Sequence, residues 1–286
     1  GMLDRAKAYL QRVMETTPPE PAGSDGVQSP PGWLETVGKE VLGICQVLGV
    51  RTAALHQTMT RATEPNLAPE PTRPEDVAAF AHRLRDEIDQ TRALLPWETS
   101  DLESSLWERA GQRLSAIEEL EGGWQRIRIH GDLHLGQVLD TGADVVIIDF
   151  EGDTGRPLSE RRLKRPALTD LASVVRSIHF AAHWPRVERE LLTETAVESD
   201  GLASWSTAWF EWMAAACIAG YRAATEDSDL NPGDDEAWSV LFKALLVSRA
   251  CDELTSRIGS RSDWLGIPLA GLDELLGGAG DQSAQR

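Results

Sequence analysis

The sequence predicts a mainly α protein of the α+β class, with helices around one small central β-hairpin. Three observations predict it. Apolar residues recur at three- and four-residue spacing through most of the 286 residues. Near the middle this gives way to the alternation RIRIH (126–130) and the β-branched run VVIIDF (145–150), with Gly142 at a turn position between them. No run approaches the ~18 consecutive apolar residues of a membrane span.

Each element follows in order. The start GMLDRAKAYL lacks the apolar core of a secretory signal, and Gly1 ahead of Met2 reads as a scar of tag cleavage, with the natural start at Met2. Residues 17–32, rich in Pro, Gly and Ser, close a flexible segment spanning 1–32. Leu34, Val37, Val41, Ile44, Cys45 and Leu48 mark one face of a helix over 33–60. A Pro-rich loop (61–74) precedes helices at about 75–95 and 100–121, the second stopped by Gly122-Gly123. After the β element, Thr169 or Asp170 caps a helix whose Leu171, Val174, Val175 and Ile178 share a face. Helices at about 186–199, 201–226 and 234–259 follow, then a Gly-rich tail, disordered over 277–286.

Composition excludes some functions. With 28 basic and 46 acidic residues the chain carries a formal charge of −18. Such a chain neither tracks along nucleic acid nor is drawn to anionic membranes, and it accepts a nucleotide only with a metal and local positive charge. Cys45, Cys217 and Cys251 are far apart, without CxxC or zinc spacing, and read as buried free thiols of a cytoplasmic protein. Trp205, Trp209 and Trp212, three of ten tryptophans, fall on one helix face. Core packing is the preferred reading of that stripe, a stacking platform for sugar rings the alternative. His56 reads as a hydrogen-bonded core histidine. The run Arg161, Arg162, Lys164 and Arg165 reads as a salt-bridged surface, the alternative being contact with phosphate or an acidic partner.

The chemistry concentrates in RIHGDLHLGQVLDTGADVVIIDFEGD (128–153). His130, Asp132, His134, Gln137, Asp149, Glu151 and Asp153 cluster around strands of buried character, where carboxylates need partners or a metal. A hairpin would bring the strands ending at Asp132 and Asp149 together. The Gln137 amide oxygen and a carboxylate are hard ligands suited to Mg²⁺ rather than zinc. Asp132 can take a proton from a hydroxyl or orient it. A base, two oxygen ligands and no nucleophile suit phosphoryl transfer from Mg-ATP. The plainer alternative is a set of polar turn residues.

HGDLHLGQ (130–137) followed by IIDFEGD (147–153) resembles the catalytic loop and metal-binding segment of the aminoglycoside-phosphotransferase branch of the protein-kinase-like fold. Gln137 in place of the usual Asn, together with DFEG, resembles the maltokinase-like group, which phosphorylates maltose at C1. LGVRTAALH (48–56), residues 156–182 and SDWLGIPLAGL (262–272) agree, so the likeness covers roughly 33–276. The resemblance implies the helical C-lobe of a sugar kinase using ATP and Mg²⁺. Asp132 would be the catalytic base, and Gln137 and Asp149 the metal ligands. His134 and Glu151 would line the sugar or metal pocket, and His130 would support the loop. Asp170 would brace it or simply cap its own helix.

Two departures shape the expectation. A kinase N-lobe has a strand-rich sheet, a phosphate loop and a strand lysine, and none is legible before His130. The expected partners are therefore a small sugar and an N-lobe from a separate chain or a homo-oligomer; the alternative is an inactive half-kinase with a binding or regulatory role. In addition, the late helix reads Arg249-Ala250-Cys251-Asp252-Glu253 where the maltokinase-like group reads Lys-Ala-Leu-Tyr-Glu. Arg249 and Asp252 are the implied sugar contacts, and an anion at 252 suits an amino sugar such as glucosamine better than maltose. GDLH (131–134) alone also fits a metallophosphoesterase motif, but the companion segments of that class are missing.

Overall fold

The structure is a computed structural model that describes residues 2–13, 38–95, 101–193 and 199–257, with 267, 269 and 271. Of the segment 1–32 predicted to be flexible, residues 2–13 instead form a helix that buries Ala6 and Tyr9; 17–32, most of SDWLGIPLAGL and the tail 277–286 lie outside the described residues. The helices are α1 (Met2–Val13), α2 (Lys39–Met59), α3 (Pro74–Leu94), α4 (Asp101–Glu118), the short α5 (Leu158–Arg161), α6 (Leu168–Thr193), α7 (Ser199–Ala224) and α8 (Asp235–Arg257). The strands are β1 (Glu70–Pro71), β2 (Gln125–Ile127), β3 (Val138–Asp140), β4 (Val145–Ile147) and β5 (Arg165–Pro166).

Local chemistry explains several boundaries. Pro74 opens α3, where its missing N–H leaves no bond unmade, and Asp76 accepts from the Arg73 N–H at 3.0 Å. Past α4 the chain turns at Gly122 (φ 85°), beneath the Thr72 carbonyl, and enters β2. The expected break near 186 does not occur: α6 runs through Pro185 to Thr193. A proline forfeits one hydrogen bond, and the buried Leu171, Val174, Val175 and Ile178 hold the helix in place, each side chain contributing roughly 1.5–3 kcal/mol.

The core lies among α2, α6, α7 and α8. At the α2–α7 crossing a Cβ on Gly49 would overlap the Cys217 carbonyl, and one on Gly220 the Gln46 carbonyl. Only glycine allows this approach, and it sets His56 of α2 beside Tyr221 of α7, with Nδ1 3.1 Å from the hydroxyl. Trp205 and Trp209 are buried and Trp212 packs against the same core. Tyr9 meets Trp205 edge-on at 5.8 Å, so the tryptophan stripe seats α1 and stacks no sugar. All three cysteines are free and buried, and burial pushes Cys217 and Cys251 up to about 12.

The β structure differs from the expected pattern. β3 and β4 form the predicted hairpin, with Leu139 opposite Val146 and Gly142 (φ 96°) in the turn. The alternating RIRIH does not pair with it. β2 sits instead between β1 and β5 in a separate antiparallel sheet. Two-residue strands carry too little periodicity to be read from sequence. No helix among the described residues is long and apolar enough to cross a membrane.

Candidate functional site

The segment after β2 is held from beneath. Asp170, in the first turn of α6, accepts the His130 N–H at 2.8 Å on Oδ2 and the Gly131 N–H at 2.9 Å on Oδ1. The carboxylate therefore serves another segment, and the helix-cap alternative is set aside, because Leu168 already opens the helix. The His56 Nε2 lies 3.0 Å from Asp170 Oδ2, both side chains being fully buried. An acceptor there makes Nε2 the donor; with a neutral ring, Nδ1 then accepts from Tyr221. Charge-assisted bonds of this kind contribute about 1.5–3 kcal/mol each.

His130 carries the connection to the hairpin. Its Nε2 donates to the Ile148 carbonyl at 2.8 Å, and its Nδ1 accepts the Asp132 N–H at 3.3 Å. These roles describe one neutral tautomer. Phe150 packs on the same ring at 5.1 Å. Shared hairpin pairing was the expected link between Asp132 and Asp149; the histidine bridge takes its place, since β2 and β4 belong to different sheets.

Asp132 emerges on the open face. Its Oδ2 is 3.9 Å from His134 Nε2 and its Oδ1 is 3.9 Å from the Arg249 guanidinium. His134 accepts the Gly136 N–H on Nδ1 and so starts the single 3₁₀ turn Leu135–Gln137. That turn delivers Gln137, whose Nε2 donates to Asp149 Oδ2 at 2.9 Å. Asp149 has φ 68°, the left-handed region that a non-glycine residue enters at a cost.

Gln137 and Asp149 thus offer hard oxygen donors side by side. Turning the Gln137 amide over exchanges its N and O and presents Oε1 to a cation. No group of three or more His, Cys, Asp or Glu among the described residues forms a metal cluster. The pair suits Mg²⁺, which needs one or two protein ligands beside phosphates and water.

Beyond Asp132 lies a cleft of about 560 Å³, reached from Gly131, Gly152 and Asp153 and walled by α3, β5 and α8. That volume falls within the roughly 300–1,000 Å³ of small-molecule sites. Arg249 and Asp252 of α8 line it on one face, 4.0 Å apart. Asp252 also receives Arg156 at 2.7 Å, and Arg156 reaches Asp153 at 3.4 Å. Glu87 of α3 takes the Ser248 hydroxyl at 2.6 Å; burial raises its pKa, the Ser248 bond opposing and Asp252 adding to the rise. Glu151 is exposed, and only its backbone carbonyl is engaged, by Arg161 at 2.9 Å.

Sequence reasoning missed Arg156, Glu87, Ser248 and the His56–Tyr221 partnership, which no local motif announces. Of the basic run, Lys164 pairs with Glu70 at 2.6 Å as a salt-bridged surface would, but Arg165 is half-buried in the cleft wall, on a β5 strand that lines the same cleft as α3 and α8.

Residues 31–207 match the APH phosphotransferase enzyme family. The chain belongs to that family. A glucosamine kinase of Streptacidiphilus jiangxiensis is 29% identical over 132 residues, which cover 46% of this chain and 28% of that protein. One of Mycolicibacterium smegmatis is 36% identical over 74 residues, 26% of this chain and 18% of the relative. A glucosamine kinase crystal structure superposes with TM-score 0.70 at 20% identity, over 96% of this chain and 58% of that one. A glucosamine kinase solved with glucosamine, ADP and inorganic phosphate gives TM-score 0.63 at 21% identity, over 96% of this chain and 68% of that one. The chain thus spans only part of the length of its relatives. At these identities the structural likeness shows the shared fold, and the family match shows the family.

Proposed function

We propose that the chain forms the sugar-binding C-lobe of an ATP-dependent amino-sugar kinase. The observation that carries this reading is the placement of Asp132. A buried carboxylate holds the loop behind it, and Arg249 of α8 stands 3.9 Å from it and, with Asp252, lines the adjoining cleft. Asp132 is the base: it takes the proton of the sugar hydroxyl as that oxygen bonds to the γ-phosphorus and the bond to ADP breaks. Gln137 and Asp149 would hold Mg²⁺, which neutralises charge on the transferred phosphoryl group. His130 and Asp170 fix the loop, and His134 and Arg249 flank the carboxylate. Glu151, at the rim, would approach the metal or the sugar only when ligands are bound.

The sugar is read from Asp252. An amino sugar carries an ammonium at neutral pH and finds a carboxylate partner there, which maltose does not need. The names of the relatives support the same choice, so glucosamine is preferred over a maltose 1-phosphate reaction of the maltokinase-like group. In this reading the phosphate-gripping N-lobe lies outside the described residues, in a second polypeptide or another part of a longer chain.

The test is sugar-dependent ADP release from Mg-ATP, with glucosamine, glucose and maltose, alongside calorimetric binding of glucosamine. Glucosamine-dependent release is expected. Asp132→Asn should lower it at least about 100-fold while the melting temperature stays unchanged. Binding of glucosamine without release would favour the inactive half-kinase. Neither binding nor release would sink the amino-sugar reading.

A further inference from the structure

Arg165 is unexplained by the chemistry above. It is half-buried in β5, and among the described residues its guanidinium makes no ion pair and no side-chain hydrogen bond. Arg83 of α3 lines the same cleft and is likewise unpaired. Burial depresses the Arg165 pKa, and repulsion from Arg156 and Arg83 adds to this, outweighing the pull of Asp252 and Glu87. A guanidinium does not shed its proton at neutral pH, so the charge persists, drawn by Asp252 and Glu87 but in ion-pair contact with neither. Arg156 does not share this condition, since Asp252 and Asp153 neutralise it.

The cleft as a whole points the same way. Seven basic and five acidic residues line it, a positive excess in a chain of formal charge −18. Walls of low dielectric focus that excess inward. Two unpaired planar forks are suited to an oxyanion, which each can bind through paired N–H donors.

We propose that Arg83 and Arg165 form an anion-binding subsite in the same cleft as Asp252, so that the sugar taken there carries a carboxylate or phosphate besides its amino group. The sugar part of this inference rests on the amino-sugar reading; the anion subsite itself does not. The substrate class becomes an acidic amino sugar, its ammonium on Asp252 and its anion on the arginine pair.

Calorimetric titration of the purified chain separates the two. The probes are inorganic phosphate, glucosamine, glucosamine 1-phosphate and muramic acid, the last two distinguishing a phosphate from a carboxylate. Phosphate should bind the wild type, and at least about tenfold more weakly bind Arg165→Gln and the solvent-exposed Arg83→Gln. Asp252→Asn should leave phosphate binding intact, and Arg165→Lys should restore part of it. One acidic sugar should bind at least about tenfold more tightly than glucosamine, an advantage lost in Arg165→Gln. Circular dichroism confirms that each variant is folded, and Arg83→Gln carries the test should Arg165→Gln unfold. Phosphate binding that is absent, or equal in the wild type and folded variants, overturns the subsite. Acidic sugars no tighter than glucosamine overturn the substrate class. Arginine-dependent phosphate binding without any glucosamine binding upholds the subsite while the amino-sugar reading fails.

Discussion

The two sides of the catalytic-type loop are built on opposite principles. Beneath it, Asp170, His56, Tyr221 and His130 are buried, Asp170 also holds the exposed Gly131 backbone, and these groups meet at 2.8–3.1 Å. Above it, Asp132 is half-exposed and stands 3.9 Å from each of its neighbours, His134 and Arg249. Full satisfaction below gives a rigid platform; loose contacts above leave groups ready for a ligand. Placing the tight network behind the reactive groups fixes their geometry without occupying their hydrogen-bonding capacity.

The largest expected effect comes from breaking the lower side. Asp170→Ala strips the partner from a buried histidine and leaves two backbone N–H groups unsatisfied. Such a loss should destabilise the protein by about 3–5 kcal/mol, measured by urea unfolding, with any phosphotransfer lost as well. A change under ~1 kcal/mol would mean that the network is dispensable and that the contrast between the two sides is not energetic.

The open side was largely legible in the sequence; of the lower side, Asp170 as a brace and His56 as a core histidine were expected, and their joining through Tyr221 was not. Asp132, Gln137 and Asp149 sit within one short segment, where residue types at close spacing suffice to point to oxygen-ligand chemistry. His56, Asp170 and Tyr221 lie on three helices far apart in the chain, joined only by the glycine-mediated crossing of α2 and α7. Apolar periodicity located these helices, though not the end of α6, and says nothing of which polar side chains meet. Arg165 shows the converse limit: its neighbours in sequence suggested a solvated surface, and only the folded chain brings it into one cleft with α3 and α8.

Acid distinguishes the two sides less violently. His179, further along α6, is buried, and its pKa is lowered to about 3, first by burial and then by the Arg176 charge, with Glu253 opposing. The unfolded chain takes up this proton near pH 6.5 and the folded one does not. Stability from this group is therefore complete above about pH 6.5 and lost as pH falls from there toward 3, with a slope of up to ~1.4 kcal/mol per unit. Urea unfolding at pH 7, 6 and 5 should show the decline before most carboxylates protonate. His179→Gln should flatten it; an unchanged slope would assign the acid sensitivity elsewhere.

The smallest effect concerns Asp149, where the open side is strained rather than merely loose. Its φ of 68° costs an ordinary residue about 1–2 kcal/mol, a penalty that glycine escapes while losing roughly 0.5–1 kcal/mol of its own in chain entropy. Among the described residues the Asp149 side chain is hydrogen-bonded by Gln137 alone, at 2.9 Å and at the surface, where such a bond is worth little. Asp149→Gly should thus leave stability unchanged or raise it by less than ~1 kcal/mol, even though it removes a proposed metal ligand and with it turnover. A carboxylate kept in an unfavourable backbone region, with no stability gained, is held there for what it binds. Should Asp149→Gly instead destabilise the protein by more than ~1 kcal/mol, Asp149 would be a brace like Asp170, and the two sides of the loop would differ in burial alone.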